Sequence, residues 1–187
     1  MNMRRINVVG TSGSGKSTFS RQLAQALNYP HIEMDRLYWK KDWQGTNDEE
    51  FVQKLSEALS VEHWVLDGNY NRTRSVKWQD VDTIVWIDYS FQRTLYQALF
   101  RAFQRCVSGK ELWPNTNNVE TFSRSLFSRD SILLWTLKTY HSNRQRYIED
   151  MENEEYQHIR FIRLCSPHMA QEFLQQISES QEVKKPA

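Results

Sequence analysis

The sequence predicts an α/β fold with a doubly wound parallel sheet, and two observations lead to this prediction. Short runs rich in Val, Ile, Leu and Trp alternate along the chain with longer segments whose apolar residues recur every three or four positions. Strand alternating with helix favours parallel strands joined by helical crossovers. A glycine-rich sequence lies at the first strand–helix junction, which suits an anion-binding turn at the carboxyl edge of such a sheet.

Five short strands are predicted, and they are Ile6–Val9, His31–Met34, Trp64–Leu66, Thr83–Ile87 and Ile159–Leu164. The predicted helices are Ser17–Leu27, Asp48–Leu59, Phe91–Arg105, Ile132–Met151 and His168–Ser178. Ligands of such sheets bind outside the carboxyl ends of the strands, so the residues that close the strands are expected to define one site. These closing residues are the glycine-rich loop, Asp35, Asp67, Asp88 and Ser166.

The glycine-rich sequence matches the phosphate-binding P-loop pattern G-x-x-x-x-G-K-[ST] in full. Glycines let the backbone approach phosphate oxygens closely, and the N–H groups of a helix N-terminus favour an anion. The lysine is expected to reach the β- and γ-phosphates of ATP, and the serine hydroxyl to bind Mg²⁺. The predicted nucleotide-binding residues are Gly10, Thr11, Ser12, Gly13, Ser14, Gly15, Lys16, Ser17 and Thr18.

Two aspartates at strand ends are candidates for holding the metal and for the chemistry. Asp67 ends the strand predicted beside the P-loop and is placed to hold Mg²⁺ together with Ser17, although a simple turn aspartate is the alternative. Asp35 could orient an acceptor hydroxyl and take its proton. Three aromatic residues after Asp35 either stack on a planar acceptor or pack a long loop onto the sheet, and they are Tyr38, Trp39 and Trp43.

Positive charge is concentrated in the middle of the chain, although the whole chain has a formal net charge of only +1. Residues 91–146 hold nine Lys or Arg against three Asp or Glu, a net charge of +6. The helix predicted from Phe91 carries an i,i+4 row that includes Arg101 and Arg105 and leads into a Ser-Gly-Lys loop, as a lid over a phosphoryl group requires. Arg144 interrupts an apolar series on the next helix and is expected to have an anionic partner.

The sequence thus predicts a single domain over residues 1–187, with a lid or helical insertion at about residues 100–130. Residues 179–187 have few apolar side chains and are expected to form a frayed tail. Cys106 and Cys165 are single and far apart, which predicts neither a disulfide framework nor a zinc site and fits a reducing cytoplasm. No apolar run approaches membrane-spanning length, and the first strand leaves no room for a signal peptide.

Three segments together resemble the adenylate-kinase-like P-loop kinases, and more narrowly the bacterial DNA topology modulation proteins (FlaR-type). They are Gly10–Ser17, His31–Asp35 with Trp39 behind it, and the Asp-Gly-Asn-Tyr sequence at residues 67–70. The resemblance covers nearly the whole chain. It implies an ATP site, Mg²⁺, a lid, a strand order of 2-3-1-4-5, and phosphate binding by Lys16, Arg101 and Arg105. Adenylate kinases have Asp-Gly-Phe-Pro-Arg-Thr where this chain has Asp-Gly-Asn-Tyr-Asn-Arg-Thr, so the arginine, Arg72, lies one residue later.

The leading hypothesis is a cytoplasmic ATP-dependent kinase of a small molecule, with a nucleoside or nucleotide as one candidate acceptor. Its predicted catalytic residues are Lys16, Asp35, Arg101, Arg105 and Arg144, and its metal-binding residues are Ser17 and Asp67. The alternative is an ATP-dependent regulator that binds nucleic acid through the basic segment and modulates DNA topology. Neither hypothesis involves a membrane.

Overall fold

A computed structural model describes residues 3–122 and 131–183 of the chain. Its centre is a five-stranded sheet with the order β2-β3-β1-β4-β5, in which every neighbouring pair is parallel. The strands are β1 (Arg5–Gly10), β2 (His31–Glu33), β3 (Trp64–Asp67), β4 (Thr83–Ile87) and β5 (Arg160–Leu164). The predicted fold class and strand order are confirmed.

The long helices follow the sequence prediction to within a few residues at their ends. The helices are α1 (Lys16–Leu27), α2 (Met34–Tyr38), α3 (Asp48–Ala58), α4 (Arg74–Lys77), α5 (Phe91–Ser108), α6 (Ile132–Glu152) and α7 (Pro167–Glu182). The short helices α2 and α4 were not predicted, nor were the 3₁₀ turns at Lys41–Trp43, Asn71–Thr73 and Glu154–Tyr156. These segments are too short to show a helical period, which explains why the pattern missed them.

Both faces of the sheet are buried, as a doubly wound arrangement requires. Val8, Val65 and Val85 lie in one apolar cluster, together with residues of α1 and α7. Val9 and Leu66 belong to a second cluster on the other face, which includes residues of α3 and α6. The alternation along β1 therefore sends neighbouring side chains into opposite layers, and the strand ends are held at one common edge.

Most of the longer helices begin with a side-chain cap, but α1 does not. Asn47, Ser90, Ser131 and Ser166 each accept a hydrogen bond from a backbone N–H in the first turn of their helix. Helix α1 begins after Gly15, which has a φ of 90° and offers no capping side chain. Its first N–H groups are thus left available to a ligand, and an anion is the ligand that they favour.

The loop after α5 packs against the segment that follows α2. The backbone N–H of Asp42 donates to the carbonyl of Thr116, at 2.9 Å. The buried side chain of Asn118 accepts from the N–H of Trp43, at 2.6 Å, and donates to the carbonyl of Lys40, at 2.9 Å. Residues 109–122 therefore bridge to residues 40–43, while the rest of the predicted lid, residues 123–130, lies outside the described residues.

Two boundaries differ from the prediction in ways that matter. Strand β2 ends at Glu33 and Met34 begins α2, so Asp35 lies in the first turn of a helix and not at a strand end. Met34 packs against Gly68, where an added Cβ would lie 2.7 Å from its side chain. Helix α7 continues to Glu182, past the predicted start of the tail at Glu179, with Gln175 donating to Glu179 at 2.9 Å.

No helix in the described parts of the chain combines the length and apolar character needed to cross a membrane. The cytoplasmic location stays a prediction from the sequence.

Lys77 is fully buried in α4, and its position predicts a pH-dependent stability. Burial, together with the charges of Arg74 and Arg146, lowers the pKa of its ammonium group from 10.5 to about 7. Between these two values the unfolded chain holds a proton at this side chain that the folded chain does not, so the free energy of unfolding rises with pH in that window. Relative to a Lys77→Met variant, the wild type is expected to gain stability from pH 7 to pH 10.

Urea unfolding of both proteins at several pH values measures this difference. A stability difference that stays constant across the window would show that Lys77 is not buried as a neutral amine.

Candidate functional site

The P-loop wraps the N-terminus of α1, and its glycines are required by their conformation and by their contacts. Gly13 and Gly15 have φ values of 89° and 90°, a region that residues with a Cβ rarely adopt. A Cβ on Gly13 would lie 2.7 Å from the Cβ of Ala98 and 2.8 Å from the carbonyl oxygen of Thr94, both on α5. Helix α5 therefore packs directly on the loop, so side chains one or two turns further along it can reach a ligand held there.

Lys16 and Asp67 form a buried pair at the base of the loop. The Lys16 Nζ lies 3.5 Å from the Asp67 Oδ1, and both side chains are largely shielded from solvent. The same Oδ1 accepts no hydrogen bond from the residues that the structure describes. A buried carboxylate oxygen without a hydrogen bond is a suitable ligand for Mg²⁺, which takes one or two protein oxygens and completes its shell with phosphates and water.

The residues present therefore fit a nucleotide-bound Mg²⁺, with Ser17 and Asp67 as the protein ligands. Within residues 3–122 and 131–183, no group of three or more His, Cys, Asp or Glu side chains could hold a metal on its own. Both observations agree with a metal that arrives with the phosphates, and the Mg²⁺ role of Ser17 and Asp67 stays a prediction.

Asp35 is held by a tyrosine that the sequence did not identify as part of the site. The Tyr70 hydroxyl donates to the Asp35 Oδ1 at 2.7 Å. Burial is the main cause that raises the pKa of Tyr70, and the neighbouring Asp35 carboxylate adds to it, so this hydroxyl keeps its proton and remains a donor. One oxygen of Asp35 is thus fixed, and the carboxylate is oriented.

The aromatic residues after Asp35 pack against protein. The Tyr38 ring lies 5.3 Å from that of Phe51 and 5.2 Å from that of Tyr70, in edge-on and tilted arrangements. Trp43 joins a row of three indoles, at 5.6 Å from Trp39 and 6.0 Å from Trp113. The packing interpretation is therefore supported over stacking on a planar acceptor, because the row connects the segment after α2 to the loop after α5.

Arg101 reaches back from α5 to the P-loop, where its guanidinium donates to the Ser12 hydroxyl at 3.2 Å. Among the described residues, no carboxylate lies within ion-pair distance of it. Burial, reinforced by the nearby charge of Arg105, lowers the pKa of Arg101. A half-buried cation beside a phosphate-binding loop, without a carboxylate partner among the described residues, gains most from an anionic ligand.

The other two predicted arginines have carboxylate partners. Arg105 bonds to Glu120 at 2.8 Å, and Glu120 lies in the loop after α5. Arg144 has the anionic partner that the sequence predicted, since its Nε lies 3.2 Å from Asp88 at the end of β4. Arg163 lies 2.5 Å from the same carboxylate. Neither Arg105 nor Arg144 contacts the P-loop within the described chain, so the prediction that they converge with Arg101 on one triphosphate gains no support from these contacts.

Arg72, the arginine displaced by one residue from the adenylate-kinase pattern, packs on the aromatic rings of Tyr38 and Tyr70 and pairs with Asp48. Its Nη1 lies 3.0 Å from Asp48, and its guanidinium stacks 4.7 Å from the centre of the Tyr38 ring. The residues that sequence reasoning missed, Asn69 and Tyr70, belong to the Asp-Gly-Asn-Tyr sequence that it had quoted. The available signal was a polar pair that follows the strand-end aspartate after a single glycine.

Several solved structures share this fold at low sequence identity. A shikimate kinase from Acinetobacter baumannii in complex with shikimate has a TM-score of 0.54 at 14% identity, over 100% of this chain and 97% of that chain. A shikimate kinase from Bacteroides thetaiotaomicron has a TM-score of 0.53 at 17% identity, over 97% and 99%. A gluconokinase from Sinorhizobium meliloti has a TM-score of 0.50 at 16% identity, over 98% of each chain.

No curated protein matches the sequence. At these identities the solved structures show the fold, which is that of small P-loop proteins. A family model adds the sequence relationship: residues 6–99, from β1 into α5, match the model described as an AAA domain. The matched segment contains the P-loop, Asp35 and Asp67. The chain therefore belongs to the AAA domain family of P-loop proteins.

Proposed function

We propose that this protein is an ATP-dependent kinase that moves the γ-phosphoryl group to a hydroxyl of a small molecule. The observation that carries the proposal is the contact of the half-buried Arg101 with Ser12 of the P-loop. This contact places the Arg101 guanidinium beside the loop that would hold the phosphates. Among the described residues, Arg101 has no carboxylate within ion-pair distance. Three solved structures with the same fold are kinases of small molecules, which supports the same class of reaction.

In this mechanism the chain's own residues position the reactants and balance their charge. The P-loop N–H groups and Lys16 hold the β- and γ-phosphates, and Lys16 exchanges its contact with Asp67 for one with phosphate. Ser17 and Asp67 would hold Mg²⁺, which neutralises phosphate charge when bound. Arg101 stabilises the negative charge of the transferring group. We therefore assign phosphate binding to Lys16 and Arg101, with Arg105 and Arg144 in supporting positions.

Asp35 acts on the acceptor in this proposal. The acceptor hydroxyl oxygen forms a bond to the γ-phosphorus, the bond from that phosphorus to the β,γ-bridging oxygen breaks, and ADP leaves with the bond electrons. The hydroxyl proton passes to the carboxylate oxygen of Asp35 that Tyr70 does not hold. The hydrogen bond from Tyr70 fixes the rotation of the carboxylate toward the acceptor.

We further propose that residues 100–130 act as the lid. The described part of this segment already bridges to residues 40–43 through Asn118, and it carries Glu120, the partner of Arg105. A lid held in this way would exclude water from the phosphoryl group and limit hydrolysis of ATP. The likeness of the fold to a gluconokinase and to shikimate kinases supports a small hydroxyl-bearing acceptor, such as a polyol, a hydroxy acid or a nucleoside.

The two aspartates test the proposal because their expected defects differ. Asp67→Asn removes a charge beside the metal, so it should weaken the binding of ATP with Mg²⁺ more than the binding of ATP without metal. Asp35→Asn should leave ATP affinity nearly unchanged and lower acceptor-dependent turnover by about 10²–10⁴-fold, because its partner is the acceptor hydroxyl. Calorimetric titration and an assay of ADP formation measure the two effects.

Tyr70→Phe is the matched control for Asp35, since it removes the bond that orients the carboxylate and keeps the base. It should lower turnover less than Asp35→Asn. If Asp35→Asn lost ATP affinity as severely as Lys16→Ala, Asp35 would belong to the nucleotide site and its proposed role would be incorrect.

The DNA-binding alternative gains no support from the structure or the comparisons. It requires the arginines of the basic segment to face outward along a duplex. Arg101 instead contacts the P-loop, and Arg105 and Arg144 are paired with carboxylates.

A further inference from the structure

Strand β1 extends beyond the end of its pairing with β3. The last pair in that register is Val8 with Asp67, and Gly68 then turns away with a φ of 151°. On the opposite side, β1 is still paired two residues later, with Gly10 opposite Ile87 of β4. The backbone N–H and C=O of Gly10, the first residue of the P-loop, therefore need a partner on the β3 side that no strand supplies.

The side chain of Asn69 supplies this partner. Its Oδ1 accepts from the N–H of Gly10 at 3.1 Å, and its Nδ2 donates to the carbonyl of Gly10 at 2.5 Å. A carboxamide carries the same donor and acceptor as a peptide group, so it can replace one residue of a neighbouring strand. Few other side chains can make both bonds at once: glutamine is one methylene longer, and an ionised aspartate has no donor.

Asn69 is itself held from two directions. The Tyr147 hydroxyl of α6 donates to its Oδ1 at 3.1 Å, and the Lys77 Nζ of α4 donates to its backbone carbonyl at 2.9 Å. Helix α6 contacts the loop at a second point, where the Thr136 hydroxyl donates to the carbonyl of Ser12 at 3.2 Å. The start of the P-loop is therefore connected through Asn69 to the helix that follows the proposed lid.

We propose that Asn69 is a positioning residue that fixes the first turn of the P-loop for binding of the ATP phosphates. The proposal rests on the nucleotide site of the proposed function and extends it to a residue that contacts neither phosphate nor acceptor. If Gly10 shifts, the N–H groups that follow it no longer converge on one phosphate, and a displacement of about 1 Å is enough to cost as much as 10²-fold in rate.

An Asn69→Asp variant tests the proposal, because the substitution keeps the size of the side chain, removes the donor and, when the new group is ionised, adds a negative charge beside the carbonyl of Gly10. The ionised carboxylate repels the carbonyl oxygen of Gly10, so affinity for a non-hydrolysable ATP analogue with Mg²⁺ should fall by about 10-fold or more at pH 8. When the new carboxyl group is protonated it regains a donor. The repulsion by the carbonyl oxygen of Gly10 raises the pKa of the new carboxyl group above the usual value of about 4, so the affinity relative to wild type should begin to recover as the pH falls toward about 5.

Tyr147→Phe is the control, since it removes one bond to Asn69 and leaves both bonds to Gly10 in place; it should bind the analogue much more tightly than Asn69→Asp at pH 8. A purely structural role would lower the melting temperature of Asn69→Asp without a pH-dependent loss of affinity. If Asn69→Asp does not fold, Asn69→Ala carries the test, with an expected loss of affinity at every pH and wild-type affinity as the contradicting result.

Lys16→Ala, titrated in parallel, separates the two possible failures. Weak binding by Lys16→Ala together with wild-type binding by Asn69→Asp at all pH values would overturn the role of Asn69 alone. Wild-type binding by both variants would instead overturn the nucleotide site on which the proposal rests.

Discussion

Replacing Lys16 by alanine is expected to weaken the binding of ATP with Mg²⁺ and to lower turnover by roughly 10²–10³-fold. The reason is electrostatic: the substitution removes the one charged side chain of the loop from the phosphates, in a site where water is largely excluded. Calorimetric titration gives the affinity, and ADP formation gives the turnover. Equal affinity in the two proteins would contradict the assignment of residues 10–17 as the phosphate site.

The Lys16–Asp67 pair complicates this variant in a way that the sequence did not show. Because Asp67 is buried, removing Lys16 leaves a carboxylate without its cation, which lowers the free energy of unfolding. The double variant Lys16→Ala, Asp67→Asn removes both charges and should recover stability without recovering turnover. Lys54→Ala is the surface control, since the ion pair of Lys54 among the described residues is with the half-exposed Glu50 at 2.7 Å, and its loss should change neither property.

Replacing Arg101 by alanine is expected to lower acceptor-dependent turnover by ~10³-fold or more. An arginine that neutralises the transferring phosphoryl group contributes 10³–10⁵ in rate in proteins that use one. The contact with Ser12 and the absence of a carboxylate partner among the described residues distinguish Arg101 from its neighbours on α5. Arg101→Lys keeps the charge but not the planar pair of donors, so it should restore only part of the rate.

Arg105→Ala is the matched comparison, one helical turn away and paired with Glu120. It should reduce turnover less than Arg101→Ala, because its charge is already balanced. If instead Arg105→Ala had the larger effect, the Glu120 pair would have to break during catalysis and the assignment of the two arginines would be reversed. Unchanged turnover in both variants, with weaker DNA binding at low salt, would favour the nucleic-acid regulator.

The sequence predicts the sheet and the place of the P-loop between β1 and α1 well, because both depend on local patterns. The strands are short apolar runs that end in polar residues, and the P-loop is contiguous in sequence with its strand and helix on either side. The position of Asp67 could be predicted for the same reason, since it is the last residue of the buried strand β3. The order of the strands came from the family resemblance and not from the pattern.

The acceptor end could not be predicted in the same way, because its contacts are between distant segments. Asp35 was expected at a strand end, but it lies in the first turn of α2, directly after Met34, which packs against Gly68 of a distant segment. The Tyr70 hydroxyl donates to Asp35, which lies 35 positions earlier in the sequence. No rule of residue spacing predicts such a pair. Whether each arginine has an ion-pair partner likewise depends on which carboxylates the fold brings close to it. Arg105 and Arg144 have such a partner, and Arg101 has none among the described residues.

For Asn69, the sequence shows the residue within a recognisable motif but does not show which group it contacts. The Asp-Gly-Asn-Tyr sequence is part of the family resemblance. The Asn69 carboxamide within it forms hydrogen bonds with the backbone of Gly10, which lies 59 positions earlier. Only the register of the sheet shows that β1 extends two residues beyond its last pair with β3. At Gly10 a side chain must therefore replace the missing strand residue.

The proposal that this protein is a kinase is tested most directly by finding the molecule to which the γ-phosphate is transferred. The wild type and Asp35→Asn should be incubated with Mg²⁺ and ATP labelled at the γ-phosphorus, with and without gluconate, shikimate, nucleosides and nucleotides. We expect that an acceptor among these classes stimulates ADP formation in the wild type and that the label appears on the acceptor. The Asp35→Asn variant should abolish this transfer. Equal ADP formation with and without every acceptor, with all of the label released as inorganic phosphate, would contradict the assignment of the protein as a kinase.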